Sequence, residues 1–86
     1  METKIALIGM IVEEPEAAAP VNSLLHEYSS YIVGRMGIPY SKKEVNIISV
    51  VIDAPENVIS ALSGKLGRIS GISVKTMIAK TKKETV

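Results

Sequence analysis

The stretch ALSGKLGRISG, residues 61–71, sets Gly64, Gly67 and Gly71 around Lys65 and Arg68. Glycines beside cations are the raw material of a backbone cradle for phosphate. The spacing decides against that chemistry. A phosphate loop leaves four residues between its first glycine and its Gly-Lys pair, and places a serine or threonine directly after the lysine. Those positions here hold Ile59 and Leu66. A dinucleotide fingerprint requires a strand running straight into the glycines, whereas these follow Val58, Ile59 and Leu62 at helical spacing. The segment reads as a helix ending in a turn, with Gly71 suited to the turn into the next strand.

The other reactive side chains are few. His26 is the only histidine and sits in a helical pattern, so it makes no ligand set by itself. Glu13, Glu14 and Glu16 cluster, but acidic residues at the positive end of a helix need no cation to explain them. Cysteine is absent, which removes disulfides, thiolate metal sites and iron–sulfur ligation. With no nucleophile, base and oxyanion donor in sight, the expectation is a protein that is not an enzyme and carries no metal or cofactor. One group stands out. Arg35 lies between Gly34 and Gly37, with Tyr31 and Tyr40 to either side, a set that could line a shallow pocket. A solvated arginine on an edge strand is the plainer alternative.

The elements that must position these residues follow from periodicity. Eighty-six residues make one domain, 1–86, and a 47% apolar content is enough for a core. Only 3% is aromatic, so that core is built from Ile, Val, Leu and Met. Lys4 to Val12 is an unbroken β-branched run and reads as a buried strand. Pro15 and Pro20 open a helix near 16–29, whose apolar face is Val21, Leu24, Leu25 and Tyr28. YIVGRMGIPY is a second strand, and Pro39 assigns it to a sheet edge. VNIISVVIDA is a third strand, residues 56–68 a second helix, and GISVKTMIAK a fourth strand. A basic tail, 80–86, closes the chain. The order βαββαβ predicts an α+β ferredoxin-like sandwich, with a four-stranded antiparallel sheet in order 4-1-3-2 and both helices on one face.

That architecture excludes several functions. RNA-binding sandwiches stack bases on aromatics in their central strands, and here strands one and three have none. Acylphosphatases need a glycine-rich phosphate loop after strand one, where this chain has EEPEAAAP. A net charge of +1 gives no footprint for nucleic acid. The longest apolar run, Ile5 to Val12, is too short to span a bilayer, and no export signal is legible, so a cytoplasmic protein is expected.

Strands one and three also lack the alternation of a half-solvated sheet. Ile5, Leu7 and Ile11 share one parity, and Ala6, Ile8, Met10 and Val12 the other. Val45, Ile47 and Val51 likewise oppose Ile48, Val50 and Ile52. Two helices cover one face only. The other face calls for a second copy of the chain, in a dimer or tetramer, unless it is a tolerated exposed patch.

The segments LLHEYSSYIVGRMGIPY and VNIISVVIDAPENVISALSGKLGRISGISVKT, with the acidic opening, resemble the iron-only hydrogenase system regulators, which are small ACT-like domains. The resemblance implies a regulatory module that answers to a small-molecule effector or a protein partner. A more distant likeness is to the C-terminal metal-sensing domain of the nickel-responsive repressor NikR. Carried over by position, that domain's ligands fall on Gly37, Pro39, Val45 and His26, so one ligand of four survives, at His26, and a nickel square of that type is ruled out. The DNA-binding segment of that repressor has no counterpart here. Strand-two glycines and this correspondence together nominate an inter-subunit ligand site at His26, Arg35, Gly37 and Tyr40. The alternative is that the glycines serve close packing and His26 is a polar interface residue. For the whole chain, the alternative to a regulator is an assembly accessory with no ligand.

Overall fold

The computed structural model describes residues 2–80. Strand β1 (Lys4–Val12) leads through a 3-10 turn (Pro15–Ala17) into helix α1 (Ala18–Glu27). A second 3-10 turn (Ser29–Tyr31) precedes β2 (Ile32–Tyr40) and β3 (Val45–Ala54), followed by α2 (Glu56–Gly67) and β4 (Ile72–Ile78). The sheet is antiparallel throughout, in the order β2-β3-β1-β4. This is the expected α+β ferredoxin-like, ACT-like arrangement. Residues 81–86 of the basic tail lie outside the described residues.

The first helix is shorter than its sequence pattern. Pro15 stands in the opening of the 3-10 turn, and Pro20 takes the third position of α1. Neither proline removes a needed hydrogen bond, because the N–H groups of a first turn have no partner within the helix. At the far end Ser29–Tyr31 tighten into a 3-10 turn, so regular helix stops at Glu27.

Parity along the strands decides the core. Ala6, Ile8, Met10 and Val12 of β1, with Ile48, Val50, Ile52 and Ala54 of β3, are buried against Val21 and Leu25 of α1 and Ile59, Leu62 and Leu66 of α2. No polar or charged residue is buried among the described residues. The opposite parity stays bare: Ile5, Leu7 and Ile11 of β1, Ile47 of β3, Met77 of β4, and Met36, Ile38 and Tyr40 of β2 are all exposed, Met77 at 65%. Register joins them into one surface, since Leu7 is opposite both Val51 and Met77, and Ile47 is opposite both Ile11 and Ile38.

The β1–α1 turn is fastened to the start of β4. Glu13 N–H donates to the Gly71 carbonyl at 2.7 Å, and Gly71 has φ +88°, which a side chain tolerates poorly. No helix among the described residues is long and apolar enough to cross a membrane.

Candidate functional site

The edge strand β2 and helix α1 enclose an open groove on the helix side of the sheet. Pairing fixes which β2 residues face it. Arg35, Gly37 and Pro39 are opposite Val50, Ile48 and Asn46, the parity that looks toward the helices. On α1, Asn22 and His26 are four residues apart and therefore share one side of the helix. Both look into the groove.

Arg35 spans it. Its Nη2 donates to Asn22 Oδ1 at 3.1 Å, a bridge between strand and helix. On one side of the bridge is a hollow of about 270 Å³, floored by Val12 and Ile48 and rimmed by Asn22, Arg35, Gly37 and Asn46. On the other is a hollow of about 380 Å³, where Leu25 and Ile32 form the floor and His26 and Ser29 the rim. A side chain at Gly37 would meet nothing within 4 Å, so that glycine keeps the groove wide without being required by packing. Among the described residues no carboxylate forms an ion pair with Arg35. Its guanidinium has donors to spare, and a carboxylate or similar anion is the partner that fits them.

His26, Arg35 and Gly37 are thus brought together, and Tyr40 is not. Tyr40 is opposite Val45, on the bare face of the sheet, so the sheet itself separates it from Arg35. The expected Arg35–Tyr31–Tyr40 pocket does not form either. Tyr31 packs on Tyr28 with ring centroids 6.4 Å apart. Asn22, which accepts the Arg35 hydrogen bond, carries one signal in the sequence, its spacing of four from His26 in a helical pattern.

Lys65, the lysine of the glycine-rich stretch, has a different occupation. Its Nζ donates to Tyr28 Oη at 2.9 Å, stands 5.1 Å from the Tyr28 ring centroid, and lies 3.8 Å from Glu27 Oε2. The hydrogen bond to Tyr28, then the charge of Tyr28, and more weakly Glu27 raise its pKa above the ordinary lysine value of 10.5. Lys65 ties α2 to the end of α1 and faces no phosphate cradle. No group of three or more His, Cys, Asp or Glu residues stands together among the described residues.

The comparisons with known proteins fit this architecture. The profile of a family described as "TM1266-like: Iron-only hydrogenase system regulator, putative" matches residues 4–76. The uncharacterized protein TM1266 from Thermotoga maritima superposes with a TM-score of 0.87 at 39% identity, covering 92% of this chain and all of that one. The C-terminal domain of the MgtC protein from Mycobacterium tuberculosis superposes with a TM-score of 0.70 over 95% of this chain and 94% of its own. At 12% identity it shares the fold alone. No curated protein matches the sequence.

Proposed function

Because the chain belongs to the TM1266-like family, we propose that it is a non-enzymatic regulatory module of an iron-only hydrogenase system, acting as a homo-oligomer in the cytoplasm. The oligomer covers the bare sheet face with a second copy. The α1–β2 groove receives the signal, either a small ligand with an anionic group or an acidic side chain of a protein partner.

Arg35 is the observation that carries this reading. A guanidinium held across an open groove by a carboxamide, with no carboxylate beside it, is preorganised for an anion. Apolar floors beside it would accept the rest of a small amphiphilic molecule. His26 at the groove's far rim adds an imidazole that can exchange hydrogen bonds with a ligand.

A thermal-shift screen of small carboxylates, amino acids and divalent metals tests the ligand half. A ligand selective for the native state at a hundred times its Kd stabilises by about 2.7 kcal/mol. The expected hit carries a carboxylate and loses its effect in Arg35→Ala. A hit that shifts parent and Arg35→Ala equally would place the site elsewhere. An empty screen would favour the assembly-accessory reading, in which the groove is only a surface furrow.

A further inference from the structure

The bare sheet face is apolar with two charged exceptions, and their placement says how a second copy would sit on it. Among the residues of that parity only Asp53 on β3 and Lys75 on β4 carry charge. Both are exposed, and neither makes an ion pair or side-chain hydrogen bond among the described residues. Asp53 is opposite Ile5 of β1, and Lys75 is opposite Gly9 of the same strand. They therefore lie on either side of β1, two strands and four residues apart, roughly 10 Å across the sheet and about 14 Å along it. They are too far apart to pair with each other.

Resting on the reading that a second copy covers this face, we infer that it docks about a two-fold axis lying over Leu7. Lys75 of each copy then meets Asp53 of the other. The midpoint between Asp53 and Lys75 falls on β1 between Ile5 and Gly9, which is Leu7. An axis in the plane of the interface through that point, perpendicular to the Asp53–Lys75 line, exchanges the two charges and closes both ion pairs at once. This is the self-complementarity that an isologous interface requires.

The apolar neighbours obey the same operation. Leu7 meets Leu7 of the second copy at the axis, and Met77 comes over Ile5 of the second copy. Val51 of the second copy comes down over Gly9, where the face is dimpled between Leu7, Ser49, Lys75 and Met77 in a hollow of about 390 Å³. The two sheets cross at about 70°, nearer the orthogonal class of sheet-on-sheet packing than the aligned one. Ile11, Ile38 and Ile47, farther from the axis, are left for a second contact, as a tetramer would need.

Charge reversal in two chains tests the arrangement. Lys75→Glu places like charges at both pairs of its own dimer, and Asp53→Lys does the same with the opposite sign. Each variant alone should dissociate with a Kd raised roughly tenfold or more. An equimolar mixture restores opposite charges at both pairs, so it should associate within about threefold of the parent. Sedimentation velocity of parent, each variant and the mixture reads all four. That recovery also rules out misfolding as the cause of the single-variant losses. If either variant associates as tightly as the parent, or the mixture gains nothing, the Lys75–Asp53 pairing is overturned while the covered face survives. A parent that stays at 9.2 kDa throughout removes both.

Discussion

Gly71→Ala should be among the most damaging single-methyl substitutions in this chain. Gly71 has φ +88°, and an alanine held in left-handed backbone costs about 1–2 kcal/mol. The added Cβ would also sit 2.8 Å from Glu14 Cβ and 3.0 Å from its Cγ. Glu14 Cβ is fixed to the backbone and cannot swing aside, so the β1–α1 turn must move away from β4. That movement stretches the 2.7 Å hydrogen bond from Glu13 N–H to the Gly71 carbonyl, a bond worth about 0.5–1.5 kcal/mol. Together the losses come to about 1.5–3.5 kcal/mol. At roughly 4–8 °C per kcal/mol for a domain of this size, the melting temperature should fall by about 6–28 °C. Circular dichroism melts at matched protein concentration measure it, since assembly makes Tm depend on concentration. The double variant Gly71→Ala with Glu14→Gly removes the contact but keeps the left-handed alanine, and should recover roughly half the loss. An alanine variant melting within about 2 °C of the parent would mean that neither the left-handed backbone nor the Glu14 contact costs stability, and full recovery in the double variant would exclude the backbone cost.

Three further outcomes are expected. Leu62→Ala, at a fully buried position of α2, should cost about 2–5 kcal/mol in urea unfolding without changing the fold. Ser63→Ala breaks the 2.6 Å hydrogen bond between Ser63 Oγ and Thr76 Oγ1 that ties α2 to β4, and should cost about 0.5–1.5 kcal/mol in the same assay. Tyr28→Phe removes the main cause of the raised Lys65 pKa, so the Lys65 titration followed by NMR at its Cε should move down toward 10.5. Since a raised lysine pKa stabilises fully below its unfolded value, the Tyr28–Lys65 contribution should persist through neutral pH and fade only above about pH 10.5.

Much of this architecture was legible in the sequence because its signals are local and unopposed. The runs Lys4–Val12 and Val45–Ala54 have no helical period and are bounded by turn residues, and both became strands over those spans. Pro39 cannot serve a central strand, which put β2 at the edge and fixed the strand order. The α1 boundaries were less legible, because prolines suit a 3-10 turn as well as the first turn of an α-helix. The candidate site was legible only in part. Arg35 lies between His26 on one side and Gly37 on the other because the β2–β3 register turns it toward α1, and register depends on pairing that β2 alone does not encode. Tyr40, five residues on from Arg35, falls on the opposite face, since an odd number of residues along a strand changes the face. The Lys65–Tyr28 contact joins two helices distant in sequence and had no local signal.

We propose that this chain works as an assembly of copies that hides its second apolar face. Sedimentation equilibrium of the full chain at low micromolar concentration reads that state. A species of two or four times 9.2 kDa is expected. A single 9.2 kDa species across the concentration range, with the outer face of β1 and β3 still in water, would contradict it.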